Sequence, residues 1–191
     1  MSLEQKRCGW CGTDELYVRY HDTEWGVPVY DDQKMFEFLI LETFQAGLSW
    51  ITVLRKRENF RQALAGFDPG KLAAFTAADI APLMANPGII RNRAKLEAAV
   101  QNARIYLELQ DRGISFSDYL WQFTDGKPVV NARKSLSELP ATTAVSDRMS
   151  RELKQAGFKF VGSTVCYAHM QATGMVNDHL TDCFRYQEVQ L

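Results

Sequence analysis

Hydrophobic and polar positions follow a helical period along nearly the whole chain. From Asp31 or Asp32, either of which can cap a helix, the apolar residues Met35, Phe36, Leu39, Ile40 and Phe44 recur on one face, and Gly47 supplies the stop. Ser49 restarts a helix whose stripe, Trp50, Val53, Leu54 and Phe60, runs to Gly66. Asp68-Pro69 opens a short element, because proline is preorganised for a first helical turn, and Thr76 with Asp79 reads as a capping box. Asn86-Pro87-Gly88 is a tight turn, after which a long helix is predicted from Ile90 to Arg112, ended by Gly113. Further helices are predicted over Phe116 to Phe123, Ser146 to Gly157 and Thr164 to Gly174. The stretch from Asp125 to Asn131 suits a short hairpin, but strand patterns are too few for a sheet core. The expected fold is all-α and compact, with two helical lobes in a single domain over residues 1–191. There is no repeat and no low-complexity linker.

Composition narrows the partners. With a formal net charge of -1 the chain does not advertise a polyanionic partner, so any contact with nucleic acid must come from a local basic face. Four scattered cysteines, with no secretory leader and no long apolar run, point to a soluble, reducing, cytoplasmic setting without a membrane partner. In that setting metal binding is a better use of paired thiols than disulfides.

Cys8 with His21, and His179 with Cys183, make up the donor set of a closed tetrahedral zinc site in which no position is left for water. Histidine is scarce, at three residues, and two of them stand near a cysteine in sequence. On a helix the His179 to Cys183 interval would project both donors from one face. Such a site would staple the N- and C-terminal segments. Residue types alone leave open the plainer reading, a buried thiol acting as a small hydrophobe and a histidine satisfied by hydrogen bonds. Cys11, in Cys8-Gly9-Trp10-Cys11, could compete as a ligand or form a redox pair. A thioredoxin-like dithiol, however, should end a strand and open a helix, and here a turn, Gly12-Thr13-Asp14, follows.

Glu42 is the one ionisable residue in the nearly apolar run Phe38 to Leu54. It either faces water on a polar stripe with Gln45 or is kept for a task, because burying an unpaired carboxylate costs several kcal/mol. Tyr17, Tyr20, Trp25 and Trp50 are near enough in sequence to line a pocket for a flat ring, although aromatic clusters also build cores. Arg91, Arg93 and Lys95 follow the turn at Gly88, and Arg55-Lys56-Arg57 reads as a solvated helix face.

Four strings carry a resemblance: Arg7-Cys8-Gly9-Trp10, Tyr20 to Pro28, Gln45 to Leu54, and Gly157 to Gly162 continuing through Asn177-Asp178-His179. Together they resemble the DNA-3-methyladenine glycosylase I family over nearly the whole chain. The resemblance implies a monofunctional repair glycosylase of the helix-hairpin-helix class, acting on alkylated double-stranded DNA. It would flip out 3-methyladenine, release it by hydrolysis as the free base and leave an abasic site. It also implies one structural zinc per chain on Cys8, His21, His179 and Cys183. Glu42 matches the family's pocket carboxylate, Trp50 and Tyr20 match aromatic residues that stack on or flank the base, and Tyr17 and Trp25 lie nearby. Asn86-Pro87-Gly88-Ile89-Ile90 resembles the hairpin, where backbone N–H groups near Gly88 bind a phosphate with Arg91 and Arg93 beside them. Leu48 is the candidate to plug the gap left by an extruded base. Asp111, at the distance from the hairpin where many superfamily members place a catalytic aspartate, sits in a polar helix end and is given no catalytic role. A monomer is expected. The alternative is a zinc-stabilised nucleic-acid or base-binding module without catalysis, which would have little use for a carboxylate in an apolar pocket.

Overall fold

The structure, a computed structural model, describes residues 5–190. Among the described residues there are eleven helices, with three-residue 3-10 turns between some of them. They are α1 (Glu15–Thr23), α2 (Asp32–Gln45), α3 (Trp50–Leu54), α4 (Arg57–Ala63), α5 (Pro69–Ala73), α6 (Ala77–Leu83), α7 (Arg93–Asp111), α8 (Phe116–Trp121), α9 (Ala144–Gln155), α10 (Ser163–Ala172) and α11 (Arg185–Glu188). Among the described residues the strands are β1 (Val129–Val130) and β2 (Val176–Asn177). No described helix is long and apolar enough to cross a membrane.

Helix α2 is the axis. Every residue from Met35 to Phe44 is buried, as expected of a helix that is apolar all round. It packs on α3, α7, α8 and α10, while α5 lies along α7 and α9 along α10. Both ends of α2 are fixed by side chains. Asp31 accepts from Lys34 N at 2.7 Å, and Asp32 accepts from Ser115 Oγ and from the amides of Phe116 and Ser117, so it also caps α8. At the far end Lys95 Nζ donates to the carbonyls of Phe44 and Ala46 at 3.1 and 2.9 Å. The first turn of α7 is thereby tied to the last turn of α2 and to the loop carrying Leu48.

Helical periodicity located most elements, and the differences have local causes. The helix predicted from Ser49 to Gly66 is two pieces, broken at Lys56, because the chain turns there to bring Arg57 inside. Arg57 donates to Glu37 and Glu24, each at 2.6 Å, so it is a buried ion-pair centre and not part of a solvated face. The long helix begins at Arg93 rather than Ile90, since Asn92 accepts from Lys95 N as its cap. The hairpin expected between Asp125 and Asn131 does not form. Val129 N and Asn131 N donate instead to Met175 and Asn177, giving a parallel pair, Val129 with Val176 and Val130 with Asn177. Nor is the His179 to Cys183 segment helical. It is a turn, shaped by His179 N donating to Asn177 Oδ1, Thr181 N to the Arg133 carbonyl and Cys183 N to the Leu180 carbonyl.

Candidate base pocket and metal centre

The side chains of Cys8, His21, His179 and Cys183 converge, with their donor atoms all within 4.8 Å of one another, and all four are buried. Cys8 precedes a 3-10 turn, His21 lies near the end of α1, and the other two flank the turn after β2. Cys183 Sγ lies 3.5 Å from His21 Nε2 and 3.7 Å from His179 Nδ1, and Cys8 Sγ lies 3.6 Å from His179 Nδ1. The opposite ring nitrogens are spoken for: His21 Nδ1 is 2.7 Å from Asp22 Oδ1, and His179 Nε2 is 3.0 Å from the Trp25 carbonyl. As donors to those oxygens, both rings leave their inward nitrogens unprotonated and free to ligate. Arg7 grips Asp22 from behind with Nε and Nη2 at 2.8–2.9 Å. The neighbouring Cys183 sulfur and burial raise the Cys8 thiol, while the Cys8 sulfur and the two imidazoles lower Cys183. This buried group could hold a metal ion. Cys11 is not among its members; its thiol donates to the Cys8 carbonyl at 3.1 Å.

Beside the metal group lies a cavity of about 360 Å³, within the size range of small-ligand sites. Trp10, Tyr17, Tyr20, Trp25 and Trp50 form its aromatic walls, and Glu42 and Gln45 reach it from one face of α2. Leu136, Leu139 and Pro140 close one side, and Ala168 and Gln171 of α10 another. The rings brace each other: Trp10 is 4.9 Å from both Tyr17 and Trp25, and Tyr20 is 5.5 Å from Trp50. Trp25 in turn meets the His179 ring edge-on at 4.7 Å, so one pocket wall rests on a metal-site residue.

Glu42 is 3% exposed, and its Oε2 has no hydrogen-bond partner. Burial pushes its carboxyl up to about 8. Trp50 Nε1 and Trp10 Nε1 are likewise buried and unpartnered. A native core rarely tolerates such a concentration of unsatisfied polar atoms at one spot, and a polar ligand would satisfy them.

Glu42, Tyr17, Tyr20, Trp25 and Trp50 thus come together as the sequence suggested. Trp10, Gln45 and Gln171 belong with them and were not singled out. Trp10 stood in the Cys-Gly-Trp-Cys string, where the cysteines drew the attention. Gln45, one turn beyond Glu42, could have been found by taking both as one inward face. Gln171 carried no local signal, because Asp178, seven residues later, orients it through a 2.8 Å hydrogen bond.

Leu48 is 42% exposed at the edge of a groove that shares Glu42, Gln45 and Ala168 with the pocket. Gly88 and Arg91, on the connection between α6 and α7, and Arg93, the first residue of α7, are not among the pocket-lining residues. Gly88 N donates to Asn86 Oδ1 at 2.8 Å, and a Cβ at Gly88 would stand 2.9 Å from that oxygen. A side chain there would have to displace the Asn86 amide that shapes the turn. The Gly88 amide is used within it, whereas the next exposed-side amides, of Ile90 and Arg91, have no acceptor among the described residues. Arg91 is exposed, and Arg93 makes only a loose pair with Glu97 at 3.7 Å.

Comparison with known proteins places this geometry. The methyladenine glycosylase family matches residues 10–186. DNA-3-methyladenine glycosylase 1 of Escherichia coli (strain K12) is 51% identical over 181 residues, 95% of this chain and 97% of that protein. A crystal structure of a 3-methyladenine DNA glycosylase I superimposes with a TM-score of 0.93 at 51% identity, covering 94% of this chain and 98% of that one. A variant of a 3-methyladenine DNA glycosylase I, solved in complex with 3-methyladenine, gives a TM-score of 0.89 at 40% identity over 93% of this chain and 96% of that one. With its aromatic pocket, its buried carboxylate and a match that spans nearly every element, the chain belongs to the methyladenine glycosylase family.

Proposed function

We propose that this single domain is a monofunctional DNA glycosylase that takes 3-methyladenine, extruded from alkylated duplex DNA, into the aromatic cavity and hydrolyses its N-glycosidic bond. The observation that carries this reading is the unpartnered Glu42 carboxyl, fully buried among five aromatic side chains in a cavity of about 360 Å³. Alkylation at N3 makes the nucleobase cationic. Electron-rich ring faces attract a cation, and an ionised Glu42 supplies the counter-charge that the cavity otherwise lacks. Adenine offers a donating exocyclic amino group where guanine presents a carbonyl oxygen. Glu42 Oε2 can accept from the former and repels the latter, which selects alkylated adenine from alkylated guanine.

Little acid catalysis is required. The N9 to C1′ bond breaks with its electron pair leaving on a base that is already positive, so the base departs neutral. Water supplies hydroxide to C1′ and releases its proton, and an abasic site remains. The pocket's own contribution is to hold the ring, exclude bulk water and favour the charge distribution of the breaking bond.

The Cys/His group suits structural zinc. Zn–S near 2.3 Å and Zn–N near 2.0 Å set tetrahedral S···N edges of about 3.5 Å, and three of the four such separations here are 3.5, 3.6 and 3.7 Å. Four protein donors leave no position for a water, so the ion's contribution is to pin the turn that carries His179 against Trp25. Helices α6 and α7 with the turn at Gly88 are read as a helix-hairpin-helix, its free amides and Arg91 and Arg93 meeting a phosphate, and Leu48 as the residue that fills the vacated stack. The protein is taken to work as a cytoplasmic monomer, in keeping with its free thiols.

The test is release of free 3-methyladenine from methylated duplex DNA by wild type and Glu42→Gln. Wild type should release the base, and the variant should lose at least about tenfold, roughly the effect of one hydrogen bond to a charged group. A folded wild-type protein that binds the duplex but releases no base would overturn the reading in favour of a binding module.

A further inference from the structure

Phe160 is a large aromatic residue, 43% exposed, with a left-handed backbone at φ 56. A bulky non-glycine residue in that region is an outlier that costs free energy and persists only where the surroundings enforce it. Here they do. Asn102, fully buried on α7, clamps the preceding residue at both backbone groups, accepting from Lys159 N at 2.7 Å and donating to Lys159 O at 3.1 Å. Ser150 Oγ donates to the Val161 carbonyl at 2.7 Å from the other side. Phe158 fills the core, and two residues later Phe160 is turned outward. The fold thus maintains a strained conformation whose result is to present a ring and the adjacent Lys159 side chain to solvent.

The position of that ring identifies what it meets. Phe160 and Lys159 border a shallow groove against Ala94, Glu97, Ala98 and Gln101, on the first turns of α7 directly after Arg91 and Arg93. Four residues further on, Thr164 and Val165 border the groove that holds Leu48 and opens into the base pocket. Lys95 ties the same start of α7 to the carbonyls of Phe44 and Ala46, beside Leu48. The turn after α6, the Leu48 loop and the Phe160 loop therefore adjoin, and exposed Arg91, Arg93 and Lys159 lie on them.

Resting on the glycosylase reading above, we infer that Phe160 is a second duplex-contacting residue, which stacks on a base or sugar beside the extruded nucleotide while Lys159 meets the adjoining phosphate. Leu48 and Phe160 would then hold the duplex open from two neighbouring loops. Every base offers a π-face, so this contact is insensitive to sequence.

Phe160→Gly, Phe160→Ala and Phe160→Tyr separate this role from a structural one. Glycine accepts a positive φ without strain, so Phe160→Gly should unfold at the same or a higher temperature than wild type. It should nonetheless bind a duplex containing a tetrahydrofuran abasic analogue about tenfold more weakly, with Phe160→Ala similar and Phe160→Tyr close to wild type. Single-turnover release of 3-methyladenine should fall with Phe160→Gly on duplex DNA and much less on single-stranded DNA, where no stack is held open. Unchanged duplex affinity and release in Phe160→Gly, with an active wild type, would overturn the inference. So would equal losses on single and double strands. An inactive wild type would instead overturn the glycosylase reading itself.

Discussion

Glu42 sets the pH behaviour of the site. Its carboxyl lies at about 8 in the folded chain against an ordinary 4.5, so the native state keeps a proton that the unfolded chain releases. Stability therefore falls as pH climbs from 4.5 towards 8 and levels off beyond it. Glu42→Gln does not titrate, so its stability relative to wild type should grow across that window, by on the order of 2–4 kcal/mol. Urea unfolding at the two ends of the window measures this, and a constant difference would mean that Glu42 has a partner after all. If the ionised form is the one that meets a cationic ring, kcat/KM for base release should rise with pH through a midpoint near 8 to a plateau above it. The variant should lack that limb. The Cys/His group makes a separate prediction at the same scale. Cys183→Ala should lose the one zinc expected per chain, and Cys11→Ala should retain it, as metal analysis of the purified proteins would show. Equal loss in both would make Cys11 a ligand.

Among the elements, α2 was legible from its long apolar run behind the Asp31 cap, and the short α6 from its Thr76 with Asp79 capping box. What failed to show was non-local. Nothing near Val129 announces that its strand partner is Val176, and nothing near Arg57 announces Glu24 and Glu37, which come to it from the end of α1 and from α2. The site divides in the same way. Glu42 stood out as a lone charge in an apolar run, whereas Leu136, Leu139 and Pro140, on an aperiodic segment, gave no sign of facing it. The Arg57 junction can be tested. Removing the guanidinium takes from Glu37, 9% exposed, its 2.6 Å partner and leaves it only Arg61 at 2.8 Å, so Arg57→Ala should cost about 1.5–3 kcal/mol. A loss under about 1 kcal/mol in denaturant unfolding would place the pair with ordinary surface salt bridges.

At the scale of the whole molecule, a net charge of -1 means that attraction to DNA is local. Affinity for undamaged duplex should fall with salt, and Arg91→Ala should reduce the slope of log K against log salt by about 1. An unchanged slope would remove Arg91 from the phosphate contacts. If the Cys/His group holds a metal, chelation at neutral pH should lower the unfolding temperature and activity together, because that group braces Trp25 through His179 and contributes no residue to the pocket lining. Activity lost without any loss of stability would contradict that arrangement.

The order of the four Cys/His residues along the chain also bears on biosynthesis. Every residue that lines the pocket, from Trp10 to Gln171, precedes His179 and Cys183. A growing polypeptide therefore makes the whole cavity before it can make the brace behind Trp25, and domains with such end-to-end contacts cannot finish folding while still being synthesised. Chains cut short before His179 should be cleared by proteases as incomplete products, even though they carry every residue that would touch the damaged base.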